Sequence, residues 1–419
     1  MALIKLNSRA IPDDTVIASD IADGSISTAK LAADAVTNAK IAADAVTTAK
    51  IADTVNRGRR NLIINGAMQV AQRGTSSTDS SYKTVDRFFY SSSNLDDHAL
   101  TQTQQTVTDL AGFSNSFRIT TTTAESAIAA DELVYVAQKI EAQNLQQLAY
   151  GTSSAKQVTL SFYVKSSVTG TFSANLYQVD DNRIVNSEYT ISSANTWERK
   201  EITYAADQTG VIDNNNGTGF YVTWNLALGS NYKGNAATAW EAYNTDNWAG
   251  SGTYTDAVIT TLNATWEITG VQLELGDTAT PFEHRPFNDV WEECQRYCTV
   301  YNVGGGNVHS NNHIGNYAPC PGSGGHIDVT NRCEWFLSYP VKRSQPTITV
   351  TDPTHMRWLG PNNAIRDGTG AVTYPVGTGI QRANIFQVVA GDFPTSVSPS
   401  FWGHAGGGTY PKITIDSEL

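Results

Sequence analysis

Aliphatic side chains fall on every fifth position near the start of the chain: Ile11, Val16, Ile21, Ile26, Leu31, Val36, Ile41, Val46 and Ile51. From Ile26 on, the series sits inside a ten-residue repeat, visible as ISTAKLAADA, VTNAKIAADA and VTTAKIADTV. A step of five turns about 140° around a helix, so successive anchors cannot share one face. In a strand, odd steps alternate faces, and half of the anchors point away from any single partner. A segment patterned this way cannot bury its apolar set against itself. It is expected to order only against sister chains or a docking surface. Short helical turns at TAKLA alternating with extended AVT would let three chains close around one axis. A disordered Ala/Thr/Asp linker is the plainer alternative, but the strict register of the anchors favours an oligomeric shaft over residues 1–60.

Beyond the shaft the pattern changes to alternation. NLIINGAMQVAQRG (Asn61 to Gly74) ends in glycine turn chemistry, and YKTVDRFFY follows. The clearest strand is Gln157 to Val164, with Val158, Leu160, Phe162 and Val164 on one face. Phe172, Ala174 and Leu176 mark another, closed by the polar turn Asp180 to Asn182. Further strands are predicted at Glu198 to Tyr204, Gly219 to Leu228 and Ala264 to Leu275, broken by NNNG (Asn214 to Gly217) and WAGSG (Trp248 to Gly252). Strands spaced in this way over residues 61–285 predict a β-sandwich of the jelly-roll kind.

One helix is predicted, Phe287 to Tyr301, because Phe287, Trp291, Cys294, Cys298 and Tyr301 step by four, three, four, three. Pro286, Asn288 and Asp289 suit its start. That seam would either pack on the chain's own sandwich or line a three-helix axis, with Trp291, Cys294 and Cys298 at the contact. The connecting helix (286–301) is expected to separate the sandwich from a β-rich terminal domain, 302–419. Strand-like stretches there are Glu334 to Tyr339, Thr347 to Thr351 and Ile413 to Ile415.

Composition narrows the function. Charged residues make up 16% and aromatics 10%, with nine Trp and eighteen Tyr, a mixture that suits a mainly β fold with many turns. A net charge of −12 argues against nucleic acid and anionic membrane as partners. The cluster Arg57, Arg59, Arg60 is short and reads as a junction. MALIKLNSRA has too brief an apolar core for a secretory signal, and no segment approaches eighteen apolar residues. Synthesis in the cytosol is expected, with any extracellular role needing another route of delivery. Cys294, Cys298, Cys320 and Cys333 fit reduced thiols, although a disulfide formed after release stays open.

A glycosidase needs two carboxylates placed across a sugar. Asp180 with Asp181 and Glu292 with Glu293 are adjacent pairs that point apart, and read as turn or surface groups. There is no GxSxG, HExxH or P-loop, so neither an enzyme nor a cofactor is called for. His309, His313, Cys320, His326 and Cys333 are capable of binding metal, but their spacings match no standard zinc pattern. Glycan binding would use aromatic faces beside Asn, Asp and Gln. Trp240 and Trp248 in the sandwich and Trp335, Trp358, Tyr374 and Trp402 in the terminal domain are available. Core packing accounts for any one of them alone. Trp248, Trp358, Tyr374 and Trp402 are the candidates, the three tryptophans because their Gly- or Asn-rich loops favour exposure.

Taken together, these segments resemble bacteriophage tail fibre proteins. The decapeptide repeats are similar to the N-terminal shafts common there. NLIINGAMQVAQRG with VDRFFY resembles the entry to a jelly roll similar to carbohydrate-binding modules. ITGVQLELGDTATPFEHRPFNDVWEECQRY (Ile268 to Tyr297) is the most specific stretch, and YPVKRSQPTITV (Tyr339 to Val350) resembles the start of the module that follows it. The resemblance implies a homotrimer in the virion tail. Its N-terminus would dock on tail or baseplate proteins, and its C-terminal end would meet a host surface polysaccharide. Adhesion without cleavage is the expectation; a polysaccharide-cleaving fibre and a purely structural tail component are the alternatives.

Overall fold

The computed structural model describes residues 59–250, 254–302, 326–329, 332–351, 356–359, 365–367, 382–388, 400–403 and 412–419. The nine anchors of the expected shaft, Ile11 to Ile51, lie outside the described residues, as does Tyr374.

The first twelve strands run β1 (Ser76–Ser77), β2 (Phe89–Ser93), β3 (Ala99–Thr106), β4 (Asn115–Thr123), β5 (Leu133–Glu141), β6 (Val158–Ser166), β7 (Gly170–Gln178), β8 (Arg183–Ile191), β9 (Glu198–Tyr204), β10 (Thr218–Leu228), β11 (Glu241–Ala242) and β12 (Thr265–Leu275). They form two six-stranded antiparallel sheets, ordered β1-β3-β4-β12-β6-β9 and β11-β8-β7-β10-β5-β2. The mainly β, jelly-roll-type sandwich expected from the alternation is therefore present.

Alternation decides which residues fill it. Val158, Leu160, Phe162 and Val164 of β6 are fully buried, as are Phe172, Ala174 and Leu176 of β7 and Phe220, Val222 and Trp224 of β10. The Phe162 ring meets Trp224 edge-on at 5.8 Å and Tyr189 at 5.2 Å, an arrangement aromatic quadrupoles favour. The entry segment NLIING runs along β12, where Leu62 N–H donates to Leu273 O (2.8 Å) and Val271 N–H to Gly66 O (3.0 Å). A break in the β12 register between Thr269 and Gln272, with Gly270 at φ +60°, turns that stretch of β12 from β6 toward the entry segment. A Cβ at Gly66 would run into Val271 O.

After the short helix α1 (Ala257–Thr260) and β12, α2 spans Phe287–Gln295. The expected helix to Tyr301 is cut short: Cys298–Asn302 is strand β13. Thr299, Val300 and Tyr301 are strand-favouring residues, and β13 finds a partner that outweighs continued helix. The remaining strands are β14 (His326–Val329), β15 (Arg332–Ser338), β16 (Thr347–Val350), β17 (Met356–Leu359), β18 (Ile365–Asp367), β19 (Arg382–Val388), β20 (Ser400–Gly403) and β21 (Lys412–Asp416). β21 is the centre of a three-stranded sheet, β13-β21-β16.

This changes the expected seam residues. Cys294 is fully buried against Val70 and Val290, with Trp291 packed beside them, and Cys298 is fully buried in β13. Both are free thiols, and both face the chain's own body rather than a sister helix. Of the expected seam residues on α2, Phe287 alone is exposed, its ring tilted against Trp291 at 5.8 Å.

The expected division at residue 302 is also crossed. The last eight residues return to the sandwich instead of finishing a separate terminal domain. Arg73 pairs with Asp416 (2.8 Å) and Glu418 (3.3 Å), and the buried Arg87 pairs with Glu418. The Arg87 guanidinium lies 3.5 Å from the Tyr297 ring centroid. Arg296 and the Tyr297 hydroxyl both donate to Glu141 of β5, at 2.7 and 2.6 Å. Burial alone would raise the Glu141 carboxyl, but those hydrogen bonds hold it below its ordinary range. Among the described residues, no helix is long and apolar enough to cross a membrane.

Candidate functional site

The outer face of the second sheet carries a group of residues that the core does not need. Cross-strand register sets its rows on β7 and β10: Tyr177 opposite Tyr221, Asn175 opposite Thr223, and Ser173 opposite Asn225. On β10 the same residues face Lys139, Ala137 and Tyr135 of β5. On β7 they face Ile184, Asn186 and Glu188 of β8. Their strand neighbours Ala174, Leu176, Val222 and Trp224 point into the core, so these positions must point away from it.

Five rings surround the middle row. Tyr177 lies 5.9 Å from Tyr221 and 5.0 Å from Tyr243, Trp248 lies 6.4 Å from Tyr243, and Tyr135 lies 5.4 Å from Trp248. The four tyrosines are half-buried. Burial pushes the phenols of Tyr135, Tyr177 and Tyr221 up, so each stays a neutral hydroxyl at physiological pH. Tyr177 donates to Asn182 Oδ1 at 2.7 Å.

Two walls bound the face. One is the lobe 230–250, which carries Tyr232, Tyr243 and Trp248. Gly229 opens it, because a Cβ there would run into the carbonyl oxygens of Ala129 and Ala130. The lobe is held by Asn186 N–H to Ala237 O (2.7 Å) and by Asn186 Nδ2 to Asn247 O (2.7 Å). The other wall is the chain's end: Lys139 Nζ donates to Leu419 O (2.6 Å) while standing 4.7 Å over the Tyr221 ring. Burial, with Arg87 nearby, lowers the pKa of that ammonium.

The expected residues fare unevenly. Trp248 was expected to be exposed; it is instead only 9% exposed, packed with Leu133, Ile184, Leu228 and Ala249, and its Nε1 donates to Tyr243 Oη (3.3 Å). An indole of that area is worth more covered than wet. Trp240 stacks on Phe220 at 5.8 Å and donates to Ala205 O. Trp358 and Trp402 sit on the neighbouring strands β17 and β20, where Trp358 is opposite Phe401 and Arg357 opposite Trp402. Tyr374 is not among the described residues.

The tyrosine face itself was missed by the sequence reading. Placing Phe172, Ala174 and Leu176 inward already put Ser173, Asn175 and Tyr177 outward. Two adjacent strands each showing aromatic and polar residues outward would have marked the face.

The adjacent carboxylates have local tasks. Asp181 accepts from Val211 N–H and Asp180 from Asp213 N–H, pinning a loop. Glu293 pairs with Arg59 and Arg285. Of the metal-capable set, His309, His313 and Cys320 lie outside the described residues, while His326 and Cys333 fall on the paired strands β14 and β15. Among the described residues, no group of His, Cys, Asp and Glu could hold a metal ion.

No family model matches the sequence, and no curated protein does. Solved structures match about half of the chain. The enzymatically active domain of tailspike protein 4 from bacteriophage CBA120 is 14% identical at a TM-score of 0.27, over 51% of this chain and 21% of that one. This chain thus spans about a fifth of that tailspike. A putative sugar binding protein from Bacteroides thetaiotaomicron is 12% identical at 0.27, over 52% of this chain and 100% of that one. A family 11 carbohydrate-binding module from Clostridium thermocellum is 11% identical at 0.25, over 50% of this chain and 98% of that one.

Proposed function

We propose that the protein is a non-enzymatic adhesin of a bacteriophage tail fibre. Its N-terminal repeats join three sister chains and dock on the virion tail, and its sandwich holds a polysaccharide of the host surface. The observation that carries the binding reading is the pair Tyr177 and Tyr221, 5.9 Å apart on the outer face of the second sheet, with Lys139 and amide side chains beside them. Aromatic faces offer sugar C–H groups an apolar contact, while amides and hydroxyls hydrogen-bond the ring's oxygens. Such sites are weak singly, and three on one fibre multiply avidity without new contacts. Two carboxylates bordering the face are engaged: Asp256 accepts from Leu228 N–H and Lys233, and Glu241 from Asn235 and Asn247.

The test uses the full chain and the surface polysaccharide of a susceptible host. Tyr177→Ala with Tyr221→Ala should weaken binding at least about tenfold, roughly 1.4 kcal/mol, and block phage adsorption. Unchanged binding by the double variant sinks the assignment of the face. New reducing ends from the wild-type chain would replace adhesion with cleavage. The mass in solution should be three times that of one chain.

A further inference from the structure

The middle row of the tyrosine face and the Ser173–Asn225 row beside it carry unmet polar groups. Both amide atoms of Asn175, the Thr223 hydroxyl and Asn225 Oδ1 have no hydrogen-bond partner. Asn175 and Asn225 are 0% exposed and Thr223 is 1% exposed. Asn225 Nδ2 is satisfied by Ser173 Oγ (2.7 Å), which fixes the amide with its oxygen unpaired. A buried donor or acceptor without a partner is destabilising, because it loses water and gains nothing. Here such groups fall on adjacent positions of two neighbouring strands, beside the small Ala137 and beneath the ring of aromatic side chains. Other unpaired buried polar atoms occur elsewhere in the described residues, but here four of them share two neighbouring strands.

We propose that Asn175, Thr223 and Asn225 form a covered subsite for the hydroxyl groups of a neutral saccharide, opened when the lobe 230–250 lifts Trp248 off the sheet. This rests on the glycan-binding reading of the same face and gives it a substrate class. The unpaired set offers one amide donor pair, two amide oxygens and one hydroxyl, which suits groups that both donate and accept, as sugar hydroxyls do. No charged group is among them. The cations of the face and lobe, Lys139 and Lys233, are already engaged by Leu419 O and Asp256, and the lobe adds Glu241 and Asp246. An anionic sugar would lose its water there without gaining a counter-ion. The lobe must move because Trp248 and the surrounding rings leave the orphan atoms no access to solvent.

The test combines stability with binding. Asn175→Leu with Thr223→Val, close in shape and apolar, removes orphan groups and should leave the unliganded melting temperature equal or higher. The same variant should bind neutral gluco-, galacto- or manno-tetraose at least tenfold more weakly than wild type (about 1.4 kcal/mol). Wild type should prefer the neutral tetraoses over a tetra-uronate. In wild type, the bound sugar should also change hydrogen exchange across residues 230–250, a readout that does not depend on the variant folding. Undiminished binding by the variant, preference for the uronate, or unaltered exchange in the lobe overturns the subsite. If Tyr177→Ala with Tyr221→Ala weakens binding while Asn175→Leu with Thr223→Val does not, the adhesin reading survives and this inference falls. If wild type binds none of the tetraoses and no host polysaccharide, both fall.

Discussion

The space between the two sheets and the seam that receives the chain's end are both buried, but they are built from opposite chemistry. Between the sheets, Phe162, Phe172, Trp224 and Trp266 meet through apolar surface, which is additive and tolerant of direction. At the seam, Arg73, Arg87, Asp86, Asp416 and Glu418 meet through charges that are stable only in company. The first kind of contact makes a fold; the second specifies which segment may dock.

Trp224→Ala should have the largest effect, costing about 3–5 kcal/mol, since the indole is fully buried and its cavity cannot collapse against Phe162 and Phe88. Denaturant unfolding measures this; a loss below about 1 kcal/mol would mean the core is not the main support. Arg87→Met should cost nearly as much, about 3–5 kcal/mol, by leaving Glu418 buried beside only Arg73. Adding Glu418→Met should recover most of that loss, because Arg73 keeps Asp416 and no charge is stranded. If the double variant is as unstable as the sum of its parts, the seam works by packing and not by charge.

A smaller effect appears with pH. Burial, opposed by Arg73 and by hydrogen bonds from Gln72, pushes the Asp86 carboxyl up to about 6 from its ordinary 3.8. A carboxyl raised in the folded state binds its proton more tightly there than when unfolded. Its contribution is therefore fully present below about pH 4 and lost as pH rises through 6. Over that window wild type should lose about 3 kcal/mol relative to Asp86→Asn. Unfolding at pH 4, 5, 6 and 7 compares the two; parallel curves would show that Asp86 is solvated. The smallest effect belongs to the surface pair Asp79–Lys83, 3.4 Å apart and exposed, where Lys83→Ala should shift stability by about 0.5 kcal/mol or less.

The C-terminal region bears directly on how receptor binding is tested. A fragment beginning at residue 303 would lack β13, one of the two partners of β21, and would expose Asp416 and Glu418 without Arg73 and Arg87. Adhesion is therefore best measured on the full chain.

Local pattern made much of this protein legible. The strand at Glu198–Tyr204 and the inward faces of β6 and β7 followed from alternation, because side chains of a strand take opposite faces whatever surrounds it. The helix at Phe287 was legible at its start, where Pro286 sets the entry, but not at its end. Heptad spacing through Cys298 and Tyr301 was outweighed by pairing with a strand more than a hundred residues later. Trp248 was misjudged because a glycine-rich loop says nothing about which sheet face it folds across.

The sequence by itself determined the class of fold and the inner faces of its strands. Only the tertiary structure decided which outward residues become neighbours. Tyr177 and Tyr221 are brought together by strand register, and Arg87 meets Glu418 across 331 residues. Periodicity is a property of consecutive residues, whereas a row across a sheet or a buried ion pair exists only once the chain has closed its long loops.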